Sequence, residues 1–370
     1  MTLTDDIQLP PKGARVAVAM SGGVDSSVAA AVLKAKGCDV VGISLRLHGH
    51  AAATPGKYGS CCSAVDLADA RLVAERMDFP FYVADMQKEF QGAVIDDFVS
   101  EYAAGRTPNP CVRCNEKVKF RHLMEWALDL GADCLATGHY ATVRSTPTGP
   151  ALCKAADPAK DQSYFLFSIR REDLARTLFP LGGLPKERVR ALARELGLAN
   201  ADKPDSQEIC FVPDGRYAAF VERMAPDGTL IPGKITDASG SELGSHEGLH
   251  RFTIGQRKGL GVPSLDPLYV LSMDSQTRTV VVGPESSLYR DRCTISGTTW
   301  LASPEEIGPG TAARIRYRAA DCPARVEPLP DGRAEVFFST PQRAITPGQA
   351  LVVYAGDRVL GGGWIEGGGT

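Results

Sequence analysis

The sequence lacks the features that mark several large classes of protein. No stretch approaches the ~18 consecutive apolar residues of a membrane-spanning helix. The first residues are acidic before they are apolar, without the apolar region of a signal peptide. Ten cysteines in 370 residues are too sparse for a disulfide scaffold. We therefore expect a cytoplasmic protein with no membrane partner, whose reduced thiols serve catalysis, metal binding or core packing.

A strong excess of charge of either sign is also missing. Lys and Arg total 41 and Asp and Glu total 44, which gives a net charge of −3. A generally polycationic protein is excluded, so any contact with nucleic acid must come from a local basic surface. The hydrophobic content of 44% and the charged content of 23% are globular values. They exclude intrinsic disorder, collagen and coiled coil.

The pattern of secondary structure changes about halfway along the chain. From residue 15 to about 200, short apolar runs alternate with helical periods, which predicts a parallel sheet with helices on both faces. After about residue 213, short strands punctuated by Gly and Pro are typical of small barrels or open sheets. The length suits about two to three domains. We predict an α/β domain at 1–212 and β-rich domains at 213–288 and 289–370.

Individual elements of the first half can be assigned from periodicity and from end signals. Residues 16–20 predict a buried strand, and Ser26 to Lys36 predict a helix that ends before Gly37. Further strands are predicted at 40–47, 81–84 and 134–137. Further helices are predicted at 64–77, 89–102, 117–130, 171–179 and 186–196, with one short helix at 217–224 after the change of pattern.

The loop between the first strand and the first helix carries the most specific signal. It reads Ser-Gly-Gly-Val-Asp-Ser-Ser over residues 21–27 and has no Gly-Lys-Ser/Thr of the Walker type. Glycines permit a tight turn, and successive N–H groups and hydroxyls at a helix N-terminus suit a phosphate. Asp25 would repel that phosphate unless a divalent cation were present, and Mg²⁺ bound to pyrophosphate fits. An ordinary capped turn is the alternative, but this motif after a buried strand favours phosphate binding.

Two further segments carry loop cysteines. Residues 107–115 read TPNPCVRCN, just before the helix predicted at 117, so we expect Cys114 to be a nucleophilic thiolate beside basic residues. Residues 205–211 read DSQEICF and place Cys210 in a second loop. A Cys-x-x-Cys pair can also be half of a zinc or iron–sulfur site. No second pair with ligand spacing accompanies it, and sequence alone does not bring Cys210 to Cys114.

Three local groups of basic residues offer candidate phosphate contacts. Arg314, Arg316 and Arg318 alternate with apolar residues, which predicts one strand face with three guanidinium groups, or simply a solvated face. A second group spans residues 113–121, and a third is the Arg-Lys pair at 257–258. Such separated patches could contact a folded RNA over a wide surface, mainly through its shape and backbone.

The loop at 21–27 resembles the PP-loop of the ATP pyrophosphatase superfamily, whose members adenylate an oxygen and release pyrophosphate. In order along the chain, SGGVDSS, GRTPNPCVRCN, ATGHYA, KDQSYFL, DSQEICF, TIGQRKGLG, RYR and TPGQ resemble the bacterial tRNA-specific 2-thiouridylase family. The resemblance spans essentially the whole chain. It implies an N-terminal parallel-sheet PP-loop domain, a small central β-rich domain and a C-terminal β-barrel-like domain.

The resemblance also implies a reaction and its partners. ATP with Mg²⁺ adenylates the C2 oxygen of the wobble uridine, U34, in the anticodon stem-loop of tRNA. A persulfide on one cysteine, loaded by a sulfur-donor protein, then delivers sulfur, and a second cysteine assists release. A monomer is expected.

Site residues are implied position by position. Cys114 is implied as the nucleophile and Cys210 as the persulfide carrier. The implied ATP site consists of Ala19, Met20, Ser21, Gly22, Gly23, Val24, Asp25, Ser26, Leu45 and Gly138. The implied tRNA contacts are Asn109, Pro110, Cys111, His139, Lys160, Asp161, Gln162, Arg316, Tyr317 and Gln349.

Two positions depart from the family pattern. Ala19 stands where the family usually has Gly, and Cys111 stands where it commonly has Asp. Cys111 adds a third thiol to Cys114 and Cys210, enough to hold a [4Fe–4S] cluster with one open iron. Sulfide carried on such a cluster is therefore an alternative to the persulfide relay. A small-molecule PP-loop ligase would need no loop thiols, and a zinc-stabilised RNA-binding protein would leave the PP-loop unexplained.

Overall fold

The computed structural model describes residues 9–47, 64–205, 209–212 and 215–368. The long loop at 48–63 and residues 206–208 of the second cysteine motif lie outside this part of the chain. Two compact units are present. The first draws its described residues from 1–93, 111–215 and 357–359, and the second from 94–110, 216–356 and 360–370.

A parallel sheet forms the centre of the first unit. Its strands are β1 (Arg15–Ala19), β2 (Asp39–Arg46), β3 (Phe81–Asp85), β4 (Cys134–Thr137) and β7 (Thr177–Leu178). A hairpin of β5 (Thr142–Thr146) and β6 (Gly149–Cys153) follows β4 and is not part of this sheet. The sheet order is β3-β2-β1-β4-β7, and every pairing is parallel. The predicted parallel sheet is confirmed. Strand order reverses beside β1, and open α/β sheets bind ligands at the carboxyl ends of the strands at such a point.

The helices follow most of the predicted periods. They are α1 (Val24–Ala35), α2 (Ala64–Arg76), α3 (Gln87–Phe90), α4 (Asp96–Ala103), α5 (Pro110–Arg113), α6 (Leu123–Asp129), α7 (Arg171–Leu174), α8 (Lys186–Glu195) and α9 (Tyr217–Met224). The helix predicted at 26–36 is α1, and Gly37 after it has φ +84°, as its position past the helix end requires. Within the described ranges, no helix is long and apolar enough to cross a membrane.

Three predicted helices are irregular. The period at 89–102 contains α3, a π-helical segment Gln91–Ile95 and α4. The helix predicted from 117 begins at Pro110 instead, passes through a π-helical segment Cys114–His122 and ends as α6. Proline suits a first helical position because its missing N–H needs no partner there. The end of the helix predicted at 171–179 is also wrong, since residues 177–178 form β7.

The second unit contains a small open sheet and a closed barrel. The open sheet has the order β10-β11-β8-β9 and the barrel has the order β12-β15-β14-β13-β16-β17. The barrel is closed because β12 pairs with both β15 and β17. These strands are β8 (Gly233–Thr236), β9 (Glu242–His246), β10 (Tyr269–Asp274), β11 (Thr279–Gly283), β12 (Tyr289–Trp300), β13 (Thr311–Arg314), β14 (Cys322–Pro328), β15 (Ala334–Arg343), β16 (Ala350–Ala355) and β17 (Arg358–Gly368). The predicted barrel-like architecture is confirmed.

Candidate functional site

The loop between β1 and α1 is shaped by two glycines. Gly22 has φ +72°, and a Cβ at this position would lie 2.1 Å from the carbonyl oxygen of Asp66, so no other residue fits. Gly23 is the N-cap of α1 in extended conformation, and no side chain caps the helix. The uncapped N-terminus of α1 therefore sits at the carboxyl end of β1, an arrangement that suits an anion.

The neighbouring strands complete this phosphate loop. Gly138 directly follows β4, and a Cβ there would lie 2.6 Å from the backbone nitrogen of Ser26. Leu45 lies near the end of β2, on the other side of β1, and is buried. The predicted ATP residues at 19–26 are thus brought together with Gly138 and Leu45 at the ends of three adjacent strands. Their roles in binding ATP stay predictions.

A brace behind the phosphate loop escaped the sequence analysis. The Asn200 side-chain amide donates to the Gly22 carbonyl at 3.1 Å and to Ser27 Oγ at 2.9 Å. Lys203 Nζ donates to the same carbonyl at 3.2 Å and forms ion pairs with two carboxylates of α2, at 2.6 Å each. Burial lowers the pKa of Lys203, but the hydrogen bonds that its ammonium donates to these carboxylates outweigh burial and raise that pKa. The glycine turn is therefore fixed by a charged, largely buried cluster.

Asp25 is the acidic residue of the phosphate loop, and its carboxylate is already engaged. Lys186 Nζ lies 2.7 Å from Oδ1 and 2.8 Å from Oδ2, and the Tyr140 hydroxyl donates to Oδ1 at 2.8 Å. Burial raises the pKa of Tyr140, as does the neighbouring Asp25 charge, so the phenol stays protonated and can donate. Among the residues that the structure describes, one cation and one hydroxyl therefore hold Asp25.

The same lysine reaches a second carboxylate. Lys186 Nζ lies 2.8 Å from Asp205, which also pairs with Lys160 at 2.8 Å and with Arg190 at 2.9 Å. Burial raises the pKa of Asp205, but the hydrogen bonds and charges of the two lysines lower it to about 2. Among the described residues, Lys160, Lys186 and Arg190 therefore pair with the carboxylates of Asp25 and Asp205.

The predicted tRNA segment at 160–162 is folded against the residues after β4. Asp161 is buried, and its carboxylate accepts from the backbone N–H groups of Ala155 and Ser163 at 3.1 and 3.2 Å. Gln162 Oε1 accepts from the Tyr140 N–H at 2.9 Å. Asp161 and Gln162 therefore hold the segment in place, while the side chain of Lys160 is 38% exposed.

His139 is packed among aromatic rings. Its Nδ1 is hydrogen-bonded to Thr137 Oγ1 at 2.8 Å, and the rings of Phe120 and Phe179 lie 6.0 and 6.2 Å from the imidazole centroid. Burial, and then the positive charge of Lys119, lower the pKa of His139 well below its usual value. His139 is therefore neutral at pH 7.

The three loop cysteines all belong to the first unit. Cys111 lies in the first turn of α5 and is exposed, whereas Cys114 begins the π-helical segment and is 8% exposed. The sequence predicts Cys114 just before a helix. In the structure Cys114 lies one turn inside a helix that begins at Pro110. π-Helical segments occur frequently at functional sites, so this irregularity is a signal in its own right.

Cys210 is connected to the region of Cys114 by the packing of the next residue, Phe211. Phe211 is buried and packs edge-to-face on Phe90, with ring centroids 5.8 Å apart. Phe90 belongs to α3, which packs against the π-helical segment that starts at Cys114. The two cysteine segments therefore share α3 as a common neighbour.

The thiols do not form a cluster site. Among the residues whose placement is described, which include Cys111, Cys114 and Cys210, no three His, Cys, Asp or Glu side chains are grouped to hold a metal ion. This arrangement does not fit a [4Fe–4S] cluster, which needs its cysteine ligands gathered around one centre.

In the second unit, Gln349 anchors the segment that leads to the cysteine motif. Its Nε2 donates to the carbonyl oxygens of Thr107 and Pro108 at 2.9 and 3.2 Å. The Thr107 N–H donates to the Pro347 carbonyl at 2.8 Å, and the following residue pair, Asn109 and Pro110, is buried. Gln349 is therefore bonded to the two residues that precede the predicted contacts Asn109 and Pro110, and the contact of these three residues with RNA stays a prediction.

The predicted arginine strand face is wrong. β13 ends at Arg314, and Arg316 and Tyr317 lie in a turn closed by the Ala319 N–H to the Arg316 carbonyl. Arg314 is not on a shared face, because it forms an ion pair with Asp321 at 2.6 Å and lies over the ring of Tyr354. Arg316 is exposed in the turn, where a contact with RNA stays a prediction.

Family models match almost all of this chain. A model described as the tRNA methyl transferase HUP domain matches residues 14–214. A tRNA methyl transferase PRC-barrel domain matches 218–284, and an aminomethyltransferase beta-barrel domain matches 290–365. The three models follow the parallel sheet, the small open sheet and the closed barrel in order.

Curated relatives extend over the same length. The tRNA-specific 2-thiouridylase MnmA of Rhodospirillum centenum is 53% identical over 363 residues, which cover 96% of this chain and 92% of the relative. That of Geotalea uraniireducens is 52% identical over 359 residues, 96% of each chain. A solved structure of the U34-tRNA thiolase NcsA from Methanococcus maripaludis with its [4Fe-4S] cluster is 18% identical, covers 61% of this chain and 70% of its own, and has a TM-score of 0.35, too low to bear on chemistry. On its family-model matches and its full-length relatives, the chain belongs to the tRNA-specific 2-thiouridylase MnmA family.

Proposed function

We propose that this protein is a tRNA-uridine 2-sulfurtransferase, which uses ATP to convert U34 of tRNA to 2-thiouridine and releases AMP and pyrophosphate. The observation that carries the proposal is that one compact unit holds the phosphate loop together with Cys111, Cys114 and Cys210. A small-molecule PP-loop ligase would use the loop and would leave the cysteine segments without a role. Membership of the thiouridylase family supports the same reaction.

The first step is adenylation of the uridine. The N–H groups at the start of α1, with the hydroxyls of Ser21 and Ser26, would hold the phosphates of ATP. The C2 oxygen attacks the α-phosphorus, and the bond to the β-phosphate oxygen breaks to release pyrophosphate. The C2 oxygen becomes part of a good leaving group, AMP, so C2 is open to attack by a nucleophile.

Asp25 is a suitable partner for Mg²⁺ in that step. Its side chain is 29% exposed beside the N-terminus of α1, and a single carboxylate together with substrate phosphates is a common way for proteins to bind this ion. When bound, the ion would supply charge neutralisation for the departing pyrophosphate. Tyr140 orients the carboxylate by its 2.8 Å hydrogen bond.

The second step transfers sulfur. The outer sulfur of a persulfide on Cys210 bonds to C2, and the bond from C2 to the oxygen of AMP breaks. The Cys114 thiolate then attacks the Cys210 sulfur, so that the persulfide S–S bond breaks and its outer sulfur stays on C2 as the thiocarbonyl. A disulfide between Cys114 and Cys210 remains, and an external dithiol reduces it before the next cycle.

Several finer assignments belong to the same proposal. The tRNA contacts are Asn109, Pro110, Cys111, His139, Lys160, Asp161, Gln162, Arg316, Tyr317 and Gln349. We also propose Mg²⁺ as the metal, a protein that donates persulfide sulfur, a monomer in the cytoplasm, and domains at 1–212, 213–288 and 289–370. The basic residues around Lys160 suit the phosphate backbone of RNA.

The test compares three cysteine variants in one thiolation assay. Thiolated tRNA is retarded in gels that contain organomercury, because mercury binds the thiocarbonyl sulfur. Cys114→Ser and Cys210→Ser should each abolish thiolation and leave the Kd for tRNA within about twofold of wild type. Cys322→Ser is the matched control, since Cys322 lies in the barrel 3.4 Å from the Thr340 hydroxyl, where an oxygen is accommodated. Normal thiolation by either of the first two variants would refute the relay.

A further inference from the structure

Lys186 occupies an unusual place for a lysine. It is the first residue of α8, its side chain is only 9% exposed, and its backbone N–H donates to Asp157 at 3.1 Å. α8 packs against α1, so the lysine stem is directed at the phosphate loop from the neighbouring helix. The ammonium ends between Asp25 and Asp205, within 2.8 Å of both. A buried lysine so close to a phosphate loop needs a reason beyond surface charge.

Within the described part of the chain, Asp25 depends on Lys186 for its cation, whereas Asp205 has others. Asp205 is also paired with Lys160 and with Arg190, so it stays neutralised when the lysine turns away. For Asp25, the described contacts supply one ammonium and the Tyr140 hydroxyl. When Asp25 binds a metal ion, the ammonium of Lys186 loses its main carboxylate and is left facing the N-terminus of α1.

We propose that Lys186 is a phosphate ligand of this site. Its ammonium binds phosphate oxygens of ATP, and it stabilises the negative charge that builds on pyrophosphate as the bond to the α-phosphorus breaks. A lysine suits this role because it is a point charge on a flexible stem, which can move from carboxylate to phosphate over a short distance. This inference rests on the proposed function only in that the loop binds ATP.

A purely structural role would give a different result. If Lys186 only neutralises Asp25, then removing the carboxylate also removes the need for the lysine. If Lys186 binds phosphate, it contributes most when the competing carboxylate is absent. The two roles are therefore separated by the variants Asp25→Asn and Asp25→Asn with Lys186→Met, compared in the absence of metal.

The probe is inorganic pyrophosphate, titrated calorimetrically into the full-length protein with EDTA present. Asp25→Asn should bind pyrophosphate at least as tightly as wild type, because a repulsive charge has gone. Addition of Lys186→Met should then weaken binding at least tenfold, and Lys186→Arg in the same background should keep binding within about threefold. Equal affinity of Asp25→Asn and the double variant, within twofold, would overturn the proposal.

Lys36→Met is the matched control. Lys36 is exposed and caps the other end of α1, about 18 Å from the phosphate loop for a helix of 12 residues. Its removal changes the net charge of the first unit equally and should leave pyrophosphate affinity within twofold. Circular dichroism of each variant checks folding. The titration needs neither tRNA nor sulfur, so it is independent of the thiolation assay. Equal pyrophosphate affinities of Asp25→Asn and the double variant, with intact thiolation by wild type, would refute only the Lys186 proposal. A tenfold loss of pyrophosphate affinity, with no thiolation by wild type, would refute only the proposed function.

Discussion

Replacement of Asp205 by Asn removes a carboxylate that pairs with Lys160, Lys186 and Arg190 at 2.8 to 2.9 Å. The structure gives the size of the effect. The pKa of Asp205 falls from its ordinary 3.8 to about 2, against the opposing effect of burial. A difference of this size corresponds to about 2 kcal/mol in favour of the ionised folded state. Since the side chain is only 24% exposed, solvent screens this contribution weakly.

The direction of the pH dependence follows from the lowered pKa. A carboxyl group with a lower pKa in the folded state than in the unfolded state stabilises the fold once the pH exceeds its unfolded value. For Asp205 the contribution is therefore complete above about pH 4 and is lost as the pH falls towards 2. The difference between wild type and Asp205→Asn should shrink across that window.

Urea denaturation at pH 7 is the assay. Asp205→Asn should lower the free energy of unfolding of the first unit by about 2 kcal/mol. Asp202→Asn is the control, because Asp202 lies three residues away, is 77% exposed and, among the described residues, forms its ion pair with Arg194. That control should cost about 0.5 kcal/mol or less. Equal decreases in the free energy of unfolding for the two variants would show that the ion pairs of Asp205 do not stabilise the fold. A decrease for Asp205→Asn that does not change between pH 4 and pH 2 would show the same.

Three further predictions concern the braces of the site. Asn200→Ala should raise KM for ATP several-fold with a smaller change in kcat, because the Gly22 carbonyl loses a donor; steady-state pyrophosphate release measures both, and an unchanged KM would contradict the role. Lys203→Met should lower the free energy of unfolding by about 3 kcal/mol, because it leaves two largely buried carboxylates without their cation. Urea denaturation measures this free energy, and a decrease below about 1 kcal/mol would contradict the prediction. Gln349→Ala should loosen residues 107–110 and speed hydrogen exchange at the Thr107 amide, and protection equal to wild type would exclude the anchor.

Local patterns predicted the elements that local forces determine. The buried strand at 16–20, the helix ended by Gly37 and the strand at 134–137 all depend on short apolar runs, helical periodicity and end signals. Alternation of strand and helix predicted the parallel sheet, and the sheet order then places Gly138 beside the loop at 21–27. These parts of the site followed from the sequence.

Tertiary contacts determined what the sequence did not show. Lys186 is 161 residues from Asp25 in sequence and Asn200 is 178 residues from Gly22, so no window of periodicity reveals either contact. The prolines of TPNP are typical of a loop, so the sequence does not predict a helix start there. The second of them nevertheless occupies the first position of a helix, at Pro110. The strand predicted through Arg316 ends at Arg314 instead. Alternation of residue types also does not reveal the ion pair between Arg314 and Asp321.

We propose that this chain puts sulfur on C2 of a tRNA uridine through Cys114. The most direct test of this proposal is mass spectrometry of the nucleosides of tRNA after incubation with the protein, ATP, Mg²⁺ and a persulfide donor. We expect 2-thiouridine at one position of the anticodon loop with wild type, and none when ATP is omitted or Cys114→Ser is used. Failure of wild type to form 2-thiouridine, or undiminished formation by Cys114→Ser, would contradict it.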